Sequence, residues 1–483
     1  MAGVRRADRL DRALTKHVAL IGFMGAGKTT LGEEVARRLN RLLKDVDQVI
    51  ETSQKRSVPE LFNEGEAAFR EVEERVVRGV LAHPRPSVVA LGGGAVTTPQ
   101  VRELLHHHAV TVWLDEDVDT CWQRVRGSDR PLGQDEGEFR RLYDERRPLY
   151  AAAADAVVRD ADDVVLAAAG VRVERGALRR LGELVPGDGK VALVSDPNVA
   201  GIHGMDAQLA LGVRLAQVHE LPPGEDAKTI GALDRLWEDL RLDRRGTIVA
   251  LGGGCTTDAA GFAAATYLRG VPWVPVPTSL VAQVDAAIGG KTGIDLPQGK
   301  NLVGAFHWPV RTVIDPALLE TLPPAQRLEG LAEVVKTGLL AGEPFWELPD
   351  DELVRRCASF KAAICLRDPR DDAERKMLNL GHTFAHALEA AAGYEGVTHG
   401  QAVALGLLGA LRLSGRDISQ VEETLRPRPV RVDRERAWQA MQRDKKAVGG
   451  ELRLVLLRED GPEWDVAVPA EDVRRELDAL IAK

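Results

Sequence analysis

The feature that most constrains the fold is the run GFMGAGKT at 22–29. It has the spacing G-x-x-x-x-G-K-[ST], in the context which that spacing requires. The apolar run from His17 to Ile21 reads as a buried strand, and Thr30 to Leu39 as a helix. In such a strand–loop–helix the backbone N–H groups of Gly25, Ala26 and Gly27 cradle phosphates. Lys28 sets a point charge beside them, the Thr29 hydroxyl ligates Mg²⁺, and Thr30 continues into the helix.

A second glycine run has a similar build. The apolar segment Thr247 to Leu251 leads into Gly252, Gly253 and Gly254, and small residues suited to a helix follow. A helix start of this kind suits a dinucleotide phosphate, although the spacing departs from G-x-G-x-x-G. The phrase Val-Ala-Leu-Gly-Gly-Gly occurs at 89–94 and at 249–254, but the flanks do not repeat, so it does not mark a duplication.

A chain of 483 residues is too long for one ordinary core, and two to four domains are expected. A net charge of −9 argues against a nucleic-acid partner. The four cysteines form no C-x-x-C pair, which argues against a disulfide framework and for a reducing compartment. No apolar run is long enough to span a membrane and no signal peptide is visible, so a cytoplasmic location is expected. His106 to His108 read as an exposed loop. His382 and His386, four apart on one helix face, suit a shared metal, or else one of them is a core histidine with a satisfied ring.

Further motifs follow the first glycine loop in order: Asp45-Val-Asp47, Phe69-Arg70-Glu71-Val72-Glu73, Val88 to Gly94, Arg130-Pro131-Leu132 and Arg146-x-Pro148-x-Tyr150. Over about residues 16 to 168 this order resembles shikimate kinase. The resemblance implies an ATP site at Gly25, Ala26, Gly27, Lys28, Thr29, Thr30 and Arg130, with Mg²⁺ near Thr29 and Asp45. It implies a shikimate site at Asp47, Arg70, Gly92, Gly93, Gly94 and Arg146. Asp47 would orient the attacking hydroxyl, and Arg130, on a lid, would meet charge on the transferring phosphoryl. Arg70 and Arg146 would clamp a carboxylate. Taken singly, Asp47 also suits a helix N-cap and the arginines a solvated face.

The stretch Leu251 to His307 carries Asp258, Arg269, Thr278-Ser279, Asp285, Gly289-Gly290-Lys291 and Lys300-Asn301. Downstream come GLAEVVKTG from Gly330, LNLGHTFAHALE from Leu378, HGQAVALG from His399 and RDKK from Arg443. Residues 171 to 483 resemble 3-dehydroquinate synthase. The two resemblances together imply an α/β chain of three domains. A P-loop, nucleoside-monophosphate-kinase-like three-layer domain occupies 1–170. An α/β NAD-binding domain at 171–324 and a mostly α-helical metal- and substrate-binding domain at 325–483 follow. NAD is placed against Glu225, Lys228, Gly254, Cys255, Thr256, Thr257, Asp258, Thr278, Ser279, Asp285, Lys291, Lys300, Leu318 and Thr321. Zinc or cobalt is placed on Glu333, His382 and His399, which leaves His386 beside the substrate. The heptulosonate phosphate is placed against Arg269, Lys291, Asn301, Lys336, Lys361, Arg375, Asn379, His386 and Lys445, with Lys291 and His386 catalytic. A homodimer is implied, Arg269 reaching the neighbour's site.

This sequence departs from the family at Gln401, where glutamate is common, and the expected cost is a lost carboxylate behind His399. The edge at Val171 to Arg175 is shortened. Two other readings compete with a bifunctional enzyme. The second half would be another sugar phosphate cyclase, or the first half a regulatory nucleotide sensor.

Overall fold

The computed structural model describes residues 12–127, 134–393, 396–444 and 451–482, so Arg130 and Lys445 lie outside the described residues. The chain separates into two compact units, Met1–Gly170 and Val171–Lys483.

The first unit is built on β1 (His17–Ile21), α1 (Lys28–Leu39), β2 (Leu43–Asp45), α2 (Val46–Gln54), α3 (Glu66–Leu81), β3 (Val88–Ala90), β4 (Ala109–Leu114), α4 (Glu136–Ala153) and β5 (Ala156–Val158). Its strands form one parallel sheet in the order β2-β3-β1-β4-β5. β2 and β3 lie on one side of β1, and β4 and β5 on the other. The carboxyl end of β1 is therefore the switch point, where crevices open in such sheets. All of β1 is buried. α1 turns Gly32, Val35, Ala36 and Leu39 inward, the spacing of a helix with one apolar face. α3 buries Phe69, Glu73, Val77 and Leu81, so one carboxylate sits inside an apolar stripe. His106 to His108 are exposed as expected, but they form the last turn of a helix, Pro99–His108, rather than a loop.

The second unit comprises β6 (Val171–Val173), β7 (Val191–Ser195), β8 (Leu215–Glu220), β9 (Thr247–Gly252), α5 (Gly254–Thr266), β10 (Trp273–Pro277), β11 (Lys291–Leu296), β12 (Gly299–Phe306), β13 (Thr312–Ile314), α6 (Pro324–Ala341), α7 (Asp350–Arg367), α8 (His382–Ala391), α9 (His399–Leu413), β14 (Glu451–Arg458) and β15 (Gly461–Pro469), with shorter helices between. A parallel sheet runs β10-β9-β7-β8. α5 is rich in alanine and glycine because it is covered on several sides. A Cβ on Gly261 would lie 2.5 Å from the Thr292 methyl and 2.8 Å from the Trp273 ring. The short edge β6 pairs in parallel with β13, Val171 opposite Thr312, outside the four-stranded sheet.

From α6 onward the chain is mostly helical, with one addition that the sequence reading overlooked. β14 and β15 form an antiparallel hairpin whose Leu452, Leu454 and Leu456 are buried in the core that also holds α8 and α9 residues. Its signal was present in the alternating leucines and in Asp460-Gly461, where Gly461 has φ +123°. Among the described residues, no helix is long and apolar enough to cross a membrane.

Candidate active sites

In the first unit three strand ends converge. The loop after β1 turns through Gly25 at φ +82°, where a Cβ would lie 2.6 Å from the Cys121 carbonyl oxygen, so only glycine fits. The Lys28 ammonium donates to the Gly22 and Phe23 carbonyls, both at 2.9 Å, and so lies over its own loop. Thr29 Oγ1 donates to Asp45 Oδ2 at 2.7 Å. The other Asp45 oxygen accepts from the N–H groups of Asp47 and Gln48, at 3.1 and 3.3 Å. Asp45 is thus the N-cap of α2, and Asp47 stands in its first turn. The hydroxyl and carboxylate of Thr29 and Asp45 form a hard-oxygen pair that suits Mg²⁺.

Beside the loop lies a cavity of about 230 Å³. Asp47, Arg70, Gly92, Gly93, Gly94 and Arg146 all line it, with Phe62 and Phe69 as an apolar wall. Glu73, the end of the Phe69–Glu73 motif but given no role from sequence, also lines it. Its Oε2 accepts from Arg70 Nη1 at 2.7 Å, while Glu66 accepts from Arg70 Nη2 at 2.8 Å. Burial pushes the Glu73 carboxyl up, against the pull of Arg70. The arginine packs so closely on the glycine turn that a Cβ on Gly94 would lie 2.0 Å from Arg70 Nη2. Arg146 donates to the Gly93 carbonyl at 3.4 Å, and its guanidinium lies over the Phe23 ring. Two arginines on one small cavity, with a carboxylate opposite, suit an anionic substrate that also carries hydroxyls.

In the second unit a cavity of about 610 Å³ opens at the carboxyl ends of the parallel strands. Gly253, Gly254, Cys255, Thr256, Thr278, Ser279 and Thr321 line it. α5 begins here, and the first-turn amides of a helix have no intrahelical partner. Asp196, Asn198, His203 and Glu329 line the same cavity and were missed. Asp196 had a signal, an acid directly after a strand. Leu318, placed on this site from sequence, has its side chain 4% exposed in the apolar core. Thr257 donates to the Gly254 carbonyl at 3.0 Å. Nearby residues form an ionic cluster. Lys228 bonds to Asp258 at 3.1 Å and to Asn301, and Lys300 bonds to Glu225 at 2.7 Å.

Two helix starts and one helix interior bring Glu333, His382 and His399 together, their ligand atoms all within 4.8 Å of one another. Glu333 Oε1 lies 3.3 Å from His382 Nε2 and 3.0 Å from His399 Nε2. His386, one turn beyond His382, is exposed and is not part of this group, so His382 pairs with His399 instead. The outer nitrogens are also held: His382 Nδ1 lies 3.3 Å from the Leu380 carbonyl, and His399 Nδ1 lies 3.4 Å from Glu389 Oε1. A carboxylate and two oriented imidazoles fit a divalent metal with positions left for substrate. The Glu389 contact corrects the expectation for Gln401: the carboxylate behind His399 comes from α8.

Lys336 pairs with Glu333 Oε2 at 2.6 Å, and Lys361 pairs with Asp285 at 2.6 Å. Arg375 donates to the Gly289 carbonyl at 3.0 Å. All three cations are buried. Asp285, expected against NAD, is instead held between Lys361 and Lys336, the latter at 3.9 Å. Lys291 pairs with Asp371 at 2.5 Å. Asn379 ends the turn that leads to His382, and Arg269 stands exposed at φ +67° on the turn after α5.

A phosphate loop beside an anion cavity defines a phosphotransferase, and a glycine-started helix near a carboxylate–imidazole triad defines a dinucleotide-dependent metalloenzyme. Residues 24–172 match the family model for shikimate kinase. Residues 218–329 match the one for 3-dehydroquinate synthase N-terminal, and 330–447 the one for 3-dehydroquinate synthase C-terminal. The 3-dehydroquinate synthase of Bordetella pertussis is 40% identical over 341 residues, covering 64% of this chain and 95% of that protein. That of Gloeobacter violaceus is 41% identical over 345 residues, with the same coverage. A crystal structure of 2-deoxy-scyllo-inosose synthase complexed with carbaglucose-6-phosphate, NAD⁺ and Co²⁺ is 26% identical at a TM-score of 0.58, covering 64% of this chain and 96% of that one. The chain belongs to the 3-dehydroquinate synthase family and carries a shikimate kinase domain ahead of the synthase. It is an enzyme with both activities.

Four outcomes follow from the geometry. Gly94→Ala displaces Arg70 and raises the KM for shikimate by about tenfold or more, roughly 1.4 kcal/mol, with the KM for ATP little changed in steady-state assays. Glu389→Gln weakens metal binding by about 10- to 100-fold in chelator competition, whereas Gln401→Glu changes it by less than about threefold. Burial pulls the His399 imidazole down, but its hydrogen bonds to Glu333 and Glu389 outweigh this and push it up to about 10. Metal-free protein therefore has the full stabilisation from His399 below pH 6.5 and loses it as pH rises towards 10. Metal binding at pH 7.5 displaces that proton, and calorimetry in buffers of different ionisation enthalpy reads about one proton released.

Proposed function

We propose that the first unit transfers the γ-phosphoryl of MgATP to the 3-hydroxyl of shikimate, and that the second converts 3-deoxy-D-arabino-heptulosonate 7-phosphate to 3-dehydroquinate and phosphate. The observation that supports this most directly is the pair of built sites. One is a two-arginine cavity beside the phosphate loop, and the other is a Glu–His–His triad among buried cations.

In the kinase, Lys28 leaves its carbonyl partners for the β- and γ-phosphates, and Thr29 and Asp45 hold Mg²⁺. Arg70 and Arg146 fix the shikimate carboxylate, and Glu73 holds Arg70 in place. Asp47 accepts the hydroxyl proton, and Arg130 meets charge on the phosphoryl group. In the synthase, residues 171–324 carry NAD against the helix start at Gly254, and residues 325–483 carry metal and substrate. Glu333, His382 and His399 would hold zinc or cobalt. When bound, NAD⁺ would supply reversible hydride transfer at C5, and the metal would supply polarisation of the neighbouring hydroxyls. Lys361, Arg375, Lys291 and Lys445 hold the substrate's carboxylate and phosphate. Asn379 orients a hydroxyl, and the exposed His386 moves protons. Their charge offsets the substrate's and brings the leaving phosphate into a fixed geometry. The synthase halves pair as a cytoplasmic homodimer, to which Arg269 on its exposed turn contributes.

The test is phosphate release from the heptulosonate phosphate by full-length protein loaded with NAD⁺. A zinc-selective chelator in excess Mg²⁺ should abolish release and leave ATP-dependent shikimate phosphorylation intact. Release of phosphate without dehydroquinate, or loss of neither activity, would refute the assignment of the triad.

A further inference from the structure

The third metal ligand, His399, opens α9, and that helix start is held from outside. Thr398, the N-cap, makes no side-chain bond to its own helix. Its hydroxyl donates to Glu329 Oε1 at 2.5 Å, and the Gly400 N–H donates to Glu329 Oε2 at 2.5 Å. The two oxygens of one carboxylate thus hold the residues on either side of His399. A carboxylate is well placed there, because first-turn amides lack intrahelical partners and the dipole favours negative charge. The backbones also touch: a Cβ on Gly400 would lie 2.5 Å from the Glu329 Cα.

Glu329 sits on α6 one turn before Glu333, the ligand that both imidazoles share. It also lines the cavity assigned to the dinucleotide, with Thr321, Pro323 and Gln326 from the same segment. One side chain therefore meets the cavity and holds the residues on either side of one metal ligand, His399.

We propose that Glu329 is a positioning residue that couples the dinucleotide cavity to the metal triad. Filling the cavity excludes water from this carboxylate. Its bonds to Thr398 and Gly400 then strengthen in the lower local dielectric, and the start of α9 is held in the register that presents His399 to the metal. By reciprocity, metal on the triad tightens dinucleotide binding by the same factor. This inference rests on the reading of the cavity as the NAD site.

Metal-free full-length protein is titrated with Zn²⁺ against a chelating indicator, with and without saturating NAD⁺, as the native chain and as Glu329→Gln. Glutamine keeps the size but turns an N–H toward one of the two donors. NAD⁺ binding is measured separately by calorimetry, and thermal melting reports the fold. In the native chain NAD⁺ should tighten Zn²⁺ binding about tenfold. In Glu329→Gln that factor should fall below about threefold, and amide exchange over 398–402 should quicken. If Zn²⁺ binding weakens equally with and without NAD⁺, the residue is merely structural and the proposal fails. It also fails if the native chain binds NAD⁺ without any effect on Zn²⁺. A native chain that does not bind NAD⁺ would overturn the cavity reading itself. Should Glu329→Gln melt early, Glu329→Asp, which keeps the charge on a shorter arm, must show an intermediate factor.

Discussion

The second unit depends on one buried carboxylate. Glu333 is fully enclosed, and an unpaired ion there would cost several kcal/mol. It persists because Lys336 faces one oxygen and two imidazoles face the other. Lys336 is in turn near Asp285, and Asp285 is held by Lys361. Removing any member would leave a buried charge exposed to its neighbours, so α6, α7, α8 and the loop after β10 are tied by one chain of charges. That chain includes the three residues that could hold a metal.

The first unit solves the same problem on a smaller scale. Glu73 lies in the apolar stripe of α3 and is compensated by Arg70, which packs against a turn that has no side chain at Gly94. In both units some of the cations are already paired with carboxylates, Arg70 with Glu73 in the first and Lys336 with Glu333 and Lys361 with Asp285 in the second. In both, a glycine loop lies at the carboxyl end of a central parallel strand, where sheet topology leaves a crevice.

The two glycine runs that look alike in sequence have different roles. Gly92 to Gly94 make room for side chains from other elements, Asp47, Arg70 and Glu73. Gly253 and Gly254 make room at a helix start that faces a cavity. Composition alone could not separate them, because glycine marks a close approach without saying what approaches.

Local sequence determined the phosphate loop and the buried strands. Each of these depends on spacing within a few residues, where chain geometry leaves little choice. What tertiary structure decided was partnership. Helix spacing alone left His386 open as a partner of His382, and the fold brings His382 to His399 and Glu333, the set that the resemblance implies, since ligand atoms converge across helices and not only along one. It supplied Glu389 where Gln401 seemed to leave a gap, and it put Glu73 behind Arg70. It sent the Leu318 side chain into the core. It folded Leu452, Leu454 and Leu456 into a hairpin that the reading of this region as helical did not include. Long-range contacts of this kind are set by packing of whole elements against one another, and no spacing along the chain encodes them by itself.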